Sequence, residues 1–329
     1  RRSPPRRGVA LTPRASALAE GVLRGERGAL ARAITLVESL RPDHRREAEA
    51  LMDRVAPPAS APPPSAFSAS PPRTLRLGIA GPPGAGKSTL IEALGLLLAG
   101  RGHRVAVVAV DPSSSRSGGS ILGDQTRMPL LSRHPAAYVR ASPTRGVLGG
   151  VAERTSEVVC LCEAAGYGAT LVESVGLGQS EVDIDDAVDA LLLVASPGGG
   201  DELQGQKKGI VEAADLIVVN KADGSLLDAA RHTRADYAAA VGLHRRKHAW
   251  WAPRVLLASA LEGRGVEQLL DAVAEFHADM AGRGALDAKR AAQARRWMWR
   301  SLDEQLRREA RRCPRVLAAA EDALRRVGD

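Results

Sequence analysis

The chain has 329 residues, of which 44% are apolar, 26% are charged and 3% are aromatic. This composition is typical of a globular protein with a sizeable core, and at about 150 residues per domain it predicts one large or two modest domains. No run approaches the roughly 20 apolar residues of a membrane span, and the three cysteines cannot complete a disulfide framework. We therefore predict a cytoplasmic protein with no membrane partner, or a mitochondrial matrix protein if the chain is eukaryotic.

The net charge of +8 admits an anionic partner such as a nucleotide, a phospholipid surface or nucleic acid. Part of the excess lies in residues 1–14, an arginine-rich opening without an acid. We predict a disordered arm there, with a remnant of an organelle transit peptide as the alternative. Nucleic-acid binding is not favoured, because acids interleave with the C-terminal arginines and no aromatic stacking platform is visible.

Residues 15–55 have apolar side chains three and four positions apart, at Leu30, Ala33, Ile34 and Val37. This spacing predicts a helical N-terminal segment. The prolines that follow end it, because residues 56–72 hold seven of the 20 prolines and no charged residue. We assign 56–73 as a proline-rich linker and a domain boundary.

Short apolar runs then alternate with helical stretches over residues 74–281. The runs are LRLGIA (75–80), RVAVVAV (104–110), ATLVESV (169–175), ALLLVA (190–195), LIVVN (216–220) and VLLASA (255–260). This alternation predicts an α/β domain with a mainly parallel central sheet flanked by helices. Ligands of such sheets bind beyond the carboxyl ends of the strands.

Residues 282–329 are rich in arginine and alanine, and Pro314 divides them into a predicted helical hairpin. An apolar stripe runs along it at helical spacing, and an extension of this kind packs either on its own domain or on a second copy of the chain. The sequence does not distinguish these two alternatives. The stripe consists of Trp297, Leu302, Leu306, Ala310, Cys313, Val316, Leu317, Ala320 and Leu324.

A phosphate-binding motif follows the first predicted strand. GPPGAGKS, residues 81–88, matches G-x-x-x-x-G-K-[ST] and precedes a helix-forming run. Its backbone N–H groups and the positive end of the helix would hold phosphates. Lys87 would reach the β- and γ-phosphates, and Ser88 would offer its hydroxyl to Mg²⁺. The predicted phosphate loop comprises Gly81, Pro82, Pro83, Gly84, Ala85, Gly86, Lys87 and Ser88.

Three acids are candidates for the magnesium site, because Mg²⁺ prefers hard oxygen ligands. Asp111 ends one predicted strand, and Glu173 ends the next in the manner of a Walker-B acid. Asp124 lies in a stretch rich in Gly and Ser, as in a switch segment. Each could instead be a helix cap or a turn residue.

The base-recognition motif is predicted in two loops at the same edge of the sheet. Asn220 is the last residue of LIVVN, Lys221 and Asp223 follow it, and Ser259, Ala260 and Leu261 follow VLLA. A carboxylate at Asp223 can accept hydrogen bonds from N1–H and the 2-amino group of guanine, whereas adenine would leave that acid unpaired at a cost of about 1–3 kcal/mol. This favours GTP over ATP as the ligand.

Hydrolysis of GTP is the expected reaction, because phosphoryl transfer needs mainly positioning and charge neutralisation. Gln179 and Glu181, in the glycine-containing stretch VGLGQSEVD, are candidates to orient the attacking water. With no certain water-positioning residue, we predict a slow intrinsic rate that a partner accelerates. The predicted catalytic set is Lys87, Asp111, Glu173 and Gln179.

These motifs together resemble the MeaB/ArgK family of methylmalonyl-CoA mutase-associated P-loop GTPases. The resemblance runs from about Ala15 to the C-terminal hairpin, but it does not include the arginine-rich opening or the linker. It rests on GPPGAGKSTL, VVAVDPSSSRSGGSILGDQTRM, VESVGLGQSEVD, PGGGDELQGQKKGI, NKAD and SALEGRG, in this order.

The resemblance implies a homodimeric, Mg²⁺-dependent GTPase that docks on an adenosylcobalamin-dependent acyl-CoA mutase, gates cofactor loading and protects or reactivates the mutase. It extends the phosphate loop to Thr89 and assigns the C-terminal helices to the dimer. It also implies an additional switch in residues 197–209, with Asp201, Gln204, Lys207 and Lys208 relaying the nucleotide state.

A metal-inserting GTPase that delivers nickel is the main alternative. It would need soft or imidazole ligands. Cys160 and Cys162 are the only close pair of cysteines, and we predict that both are buried thiols on a helix. His244 and His248 are spaced to share a helix face, but basic residues lie between them and we identify no accompanying acid.

Overall fold

Three short helices open the described part of the chain: α1 (Pro13–Leu23), α2 (Arg27–Val37) and α3 (Pro42–Val55). The computed structural model describes residues 12–39, 41–55, 74–111, 128–143, 150–174, 184–198, 208–243 and 246–327. The Thr12 side chain caps α1 by accepting a hydrogen bond from the Ala15 amide, and Gly25, with a φ of 76°, follows its end. The helical segment therefore begins two residues earlier than predicted and is divided into three helices.

A parallel sheet of seven strands forms the centre of the chain. Its spatial order is β3-β2-β4-β1-β5-β6-β7, and each strand pairs only in parallel. Six strands coincide with the predicted apolar runs, which confirms the α/β fold. The strands are β1 (Leu75–Ala80), β2 (Val105–Asp111), β3 (Ala137–Pro143), β4 (Ala169–Glu173), β5 (Ala190–Ala195), β6 (Leu216–Val219) and β7 (Arg254–Leu257).

The edge strand β3 was not predicted. Its sequence, AYVRASP, carries Arg140 in the middle and so lacks the continuous apolar run of the other strands. The guanidinium of Arg140 is neutralised by Glu38, just after α2, at an N–O distance of 2.5 Å. An edge strand can hold such a charge because a packed helix supplies its counter-ion.

Helices cover both faces of the sheet, as the buried strands require. One face packs against α4 (Lys87–Gly100), α5 (Pro129–Arg133) and α9 (Val266–Gly282). The other packs against the N-terminal helices and against α6 (Gly150–Ala164), α7 (Lys208–Ala213) and α8 (Leu227–Leu243). Consecutive side chains of β2 point to opposite faces of the sheet. Val107 lies in the core on the side of α4, and Val108 lies in the core on the side of the N-terminal helices.

The C-terminal hairpin consists of α10 (Ala285–Arg312) and α11 (Pro314–Val327). Six large apolar side chains on it are 41–59% exposed: Met298, Trp299, Leu302, Leu306, Val316 and Leu317. Within the described ranges, none of the helices combines the length and the apolar character needed to cross a bilayer.

Candidate nucleotide-binding site

The loop between β1 and α4 has a backbone that only glycine can adopt at two positions. Gly81 has a φ of 149°, and an added Cβ would lie 2.1 Å from the carbonyl oxygen of Val194 on β5. Gly86 has a φ of 85° and is the N-cap of α4, where a Cβ would lie 2.5 Å from Nδ2 of Asn220. The predicted phosphate loop thus has the geometry its glycines require, with the N-terminus of α4 directly after it.

Lys87, the first residue of α4, lies within the curve of this loop. Its Nζ donates hydrogen bonds to the carbonyl oxygens of Gly81, at 2.8 Å, and of Pro82, at 3.1 Å. The side chain is almost fully buried. The ammonium group is therefore held by two backbone carbonyls of the loop. Pro83, Gly84 and Thr89 are exposed.

Ser88 and Glu173 meet where α4 faces the sheet. The Ser88 hydroxyl donates a hydrogen bond of 3.0 Å to Oε1 of Glu173. Glu173 ends β4 and lies in register with Ile79 of β1 and Ala109 of β2. The backbone of Asp111 ends β2 at the same edge of the sheet. Asp124 and Gln179 lie outside the described residues.

Asn220, at the carboxyl end of β6, joins three loops. Its Nδ2 donates to the carbonyl oxygens of Ala85, at 3.0 Å, and Gly86, at 3.3 Å. Its Oδ1 accepts a hydrogen bond of 3.0 Å from the amide of Ala260. The side chain is buried, so these bonds connect the phosphate loop to both predicted base loops in a region with little water.

Asp223 and Ser259 form a second, partly buried contact between the same two base loops. The Ser259 hydroxyl donates to Oδ2 of Asp223 and accepts a 3.2 Å hydrogen bond from the amide of Glu262. The predicted base-reading carboxylate is therefore oriented by a neighbouring hydroxyl. Leu261 lies beside this pair with 83% of its surface exposed, and the exposed Lys221 has a φ of 57° in the left-handed region.

Two positioning contacts were missed by the sequence analysis. Gly265 has a φ of 75°, and a Cβ there would lie 2.3 Å from the carbonyl oxygen of Leu257, so it fixes the return of the SALEGRG loop. Thr233, buried on α8, accepts a 3.2 Å hydrogen bond from the amide of Gly198. The two glycines of SALEGRG were an available signal for the first contact; Thr233 carries none. Asp201, Gln204 and Lys207 lie outside the described residues.

The candidate nickel ligands are arranged differently from the prediction. Helix α8 ends at Leu243, and His248 lies beyond it in a short antiparallel bridge with Trp251, so the predicted face shared with His244 is wrong. An acid does accompany His248, because its Nε2 is 3.2 Å from Oδ1 of Asp215.

The two cysteines of α6 lie in or against the hydrophobic core. Cys162 is buried and Cys160 is partly buried on α6, and burial raises the pKa of both thiols, as expected of inert core cysteines. In the part of the chain that the structure describes, no three His, Cys, Asp or Glu side chains form a group that could hold a metal ion.

Comparison with known families decides the assignment. The sequence model of the protein family described as "Methylmalonyl Co-A mutase-associated GTPase MeaB" matches residues 30–314. The chain belongs to the MeaB family. Members of the MeaB family are GTPases, so this chain is a GTPase and the predicted activity is confirmed.

Individual MeaB relatives agree with this assignment. A probable GTPase of Mycobacterium bovis is 48% identical over 94% of this chain and 89% of its own length. The mouse methylmalonic aciduria type A homolog, a mitochondrial protein, is 48% identical over 86% of this chain and 68% of its own length. A crystal structure of a LAO/AO transport system kinase has a TM-score of 0.72 at 37% identity, covering 89% of this chain and 84% of that one.

Proposed function

We propose that this GTPase binds an adenosylcobalamin-dependent acyl-CoA mutase, such as methylmalonyl-CoA mutase, and uses GTP to gate cofactor loading and to protect or reactivate the mutase. The proposal rests on one observation: at one edge of the sheet, the Asn220 side chain joins a phosphate loop to a guanine-type loop. Support for the mutase comes from the family's description as "mutase-associated" and from the methylmalonic aciduria relatives.

In this proposal, residues 81–89 bind the phosphates of GTP. The N–H groups at the start of α4 and the positive end of that helix attract the anion. Lys87 exchanges the carbonyl oxygens of Gly81 and Pro82 for phosphate oxygens, because an anion binds an ammonium group more strongly than a neutral carbonyl does. The buried position of Lys87 then makes this charge effective in a low-dielectric site.

The guanine base lies, in this proposal, between the loops that follow β6 and β7. Asp223 accepts from N1–H and the 2-amino group, and its orientation is fixed by the Ser259 hydroxyl. Asn220 holds the Ala260 backbone in place, and Ala260 with Leu261 contacts the base. Lys221 lies alongside the base.

Magnesium is the proposed cofactor, and the residues present fit it. The Ser88 hydroxyl and the Glu173 carboxylate are hard oxygen donors that already lie 3.0 Å apart beside the phosphate loop. We assign Asp111 and Asp124 as further candidates for the same metal. When bound, the ion would neutralise charge on the β- and γ-phosphates.

The remaining catalytic assignments concern the water. We propose that Gln179 orients it, and that Lys87, Asp111 and Glu173 complete the catalytic set. Lys87 stabilises the charge that develops on the transferred phosphoryl group. A single side chain that only orients water supports a slow intrinsic rate, which contact with the mutase would raise.

Homodimerisation is proposed through the C-terminal hairpin, because its exposed apolar side chains form a face that water solvates poorly. We expect the double substitution Trp299→Glu, Leu306→Glu to weaken self-association tenfold or more, since each buried anchor contributes on the order of 1–3 kcal/mol. Analytical ultracentrifugation over a concentration series measures the change. Arg307→Glu, on the same helix, is the matched control and should leave the association constant within about threefold of wild type. A monomeric wild-type protein would refute the dimer.

Capture of the mutase tests the central proposal. Immobilised full-length protein is incubated with purified adenosylcobalamin-dependent mutases in Mg²⁺ with GDP or with a non-hydrolysable GTP analogue. We expect one mutase to be retained, with an affinity that differs by about fivefold or more between the two nucleotides, as a typical coupling free energy implies. Retention of none of the mutases in either nucleotide would leave a GTPase with a different client.

A further inference from the structure

A short acidic segment precedes β5 on the side of the sheet away from the nucleotide loops. We name residues 184–189, with the sequence IDDAVD, the acidic turn. Five side chains of α10 contact the acidic turn. Their spacing in the sequence places them along one side of the helix. They are Lys289, Arg290, Gln293, Arg296 and Arg300.

Lys289 and Gln293 contact both side-chain and backbone groups of the acidic turn. The Nζ of Lys289 donates to Oδ1 of Asp185 at 2.8 Å and to the carbonyl oxygen of Asp189 at 2.9 Å. Gln293 donates from Nε2 to the carbonyl oxygens of Asp185, at 3.0 Å, and Val188, at 2.7 Å. Hydrogen bonds to backbone carbonyls fix the path of the chain and not only the charge of the segment.

The end of the turn is anchored in the sheet. The Asp189 carboxylate is buried, accepts from Nε and a terminal nitrogen of Arg290 at 2.8 and 2.6 Å, and accepts from the Arg76 amide of β1 at 3.0 Å. Burial alone would raise the pKa of Asp189. Hydrogen bonds from Arg290 and His277, together with the positive charges of Arg290 and Arg76, outweigh this effect and lower the pKa. The ionised carboxylate thus connects α10 to the first residues of β1.

Asp186 forms the outer part of this connection. One of its oxygens is 2.9 Å from Arg296 and the other is 2.9 Å from Arg300. Both arginine side chains are partly exposed, at 47% and 41%, while that of Asp186 is 25% exposed. These contacts can be changed without placing a charge in the core.

The acidic turn contacts the beginning of two strands, β1 and β5, whose other ends lie at the phosphate loop. β1 runs from the Asp189 contact to Ala80, and Gly81 follows. β5 begins directly after the turn, and the carbonyl of its Val194 faces Gly81. At 100° per residue, the exposed Met298, Trp299, Leu302 and Leu306 lie on roughly the opposite side of α10 from the contacts with the turn.

We propose that Asp186, Arg296 and Arg300 are positioning residues for GTP hydrolysis: through the acidic turn, α10 fixes the register of β1 and β5 and so of the phosphate loop. The inference rests on the proposed assignment of that loop. Rigid strands transmit a displacement at one end to the other, because packed cores deform little. Removing the Asp186 contacts loosens the turn while the buried Asp189–Arg290 pair keeps the chain folded.

A charge swap tests this in the full-length protein. Arg296→Asp together with Arg300→Asp should lower kcat for GTP hydrolysis by about three- to tenfold, with KM for GTP within twofold of wild type, because a loosened scaffold misplaces the transition state more than the bound nucleotide. Adding Asp186→Arg should restore kcat to within twofold of wild type. Arg307→Asp, a change on α10 that makes none of these contacts and lies away from the exposed apolar side chains, is the matched control.

The outcomes separate the inference from the proposed function. Hydrolysis that is equally fast in wild type and in Lys87→Ala would refute the assignment of the phosphate loop. Loss of hydrolysis in Lys87→Ala, with kcat unchanged in the Arg296→Asp, Arg300→Asp variant, would overturn the positioning role alone. A fall in kcat that Asp186→Arg does not reverse, or that parallels a lower melting temperature measured by circular dichroism, would also overturn it and indicate a purely structural contact.

Discussion

Lys87→Ala is expected to lower kcat for GTP hydrolysis by about 10²- to 10³-fold, the effect of removing one preorganised group that stabilises transition-state charge. The reason is structural: Nζ is already held inside the loop by the carbonyl oxygens of Gly81 and Pro82, so no reorganisation of distant elements is needed to bring it to a phosphate. Steady-state release of inorganic phosphate measures the change, with EDTA added in a parallel series to test the proposed requirement for Mg²⁺.

The control for this variant removes a positive charge from the other end of the same helix. Arg101 follows α4 and pairs with Glu267 and Asp271 on the surface. Arg101→Ala should change kcat by less than twofold, because exposed ion pairs contribute on the order of 0–1 kcal/mol to stability and this one is remote from the loop. Equal activity in wild type and Lys87→Ala would refute the proposed phosphate site.

Asp223→Asn is expected to change base specificity. The acid can accept from both N1–H and the 2-amino group of guanine, whereas the amide presents one acceptor and one donor, so we expect GTP affinity to fall by about 10²-fold or more. Xanthosine triphosphate carries a carbonyl in place of the 2-amino group and matches the amide, so its affinity should rise. Competition calorimetry with GTP, xanthosine triphosphate and ATP measures the three affinities.

Asp228→Asn provides the matched control for the base-reading acid. Asp228 lies in the first turn of α8, and its side chain is 86% exposed and pairs with Arg231. The same change in charge there should leave all three affinities within about twofold. An Asp223→Asn variant that still discriminates GTP from xanthosine triphosphate like the wild type would show that the carboxylate does not contact the base.

Sequence patterns were sufficient where the physical requirement is local. The buried strands β5 and β6 consist of continuous apolar residues because both of their faces are covered, so ALLLVA and LIVV could be recognised directly. β3 could not, because Arg140 interrupts its apolar run and its charge is neutralised by Glu38, which lies far away in the sequence. Likewise, the spacing of His244 and His248 indicated a helix that in fact ends at Leu243.

The candidate site divides in the same way. The glycine turns at Gly81 and Gly86 and the helix that begins at Lys87 could be predicted from the residue order, since a loop that curves closely around phosphates requires glycine at fixed positions and a helix immediately after it. The role of Asn220 as a bridge to Ala85 and Ala260 could not be predicted, because its partners lie 135 and 40 residues away.

The sequence alone therefore determined that this chain is a GTPase of α/β class, because phosphate and guanine recognition depend on short motifs whose backbone requirements are local. Three contacts follow only from the tertiary structure: α10 binds the acidic turn, His248 lies next to Asp215, and the Ser259 hydroxyl orients Asp223. Those contacts depend on which side chains the folded sheet and its helices bring together, and no periodicity along the chain encodes them.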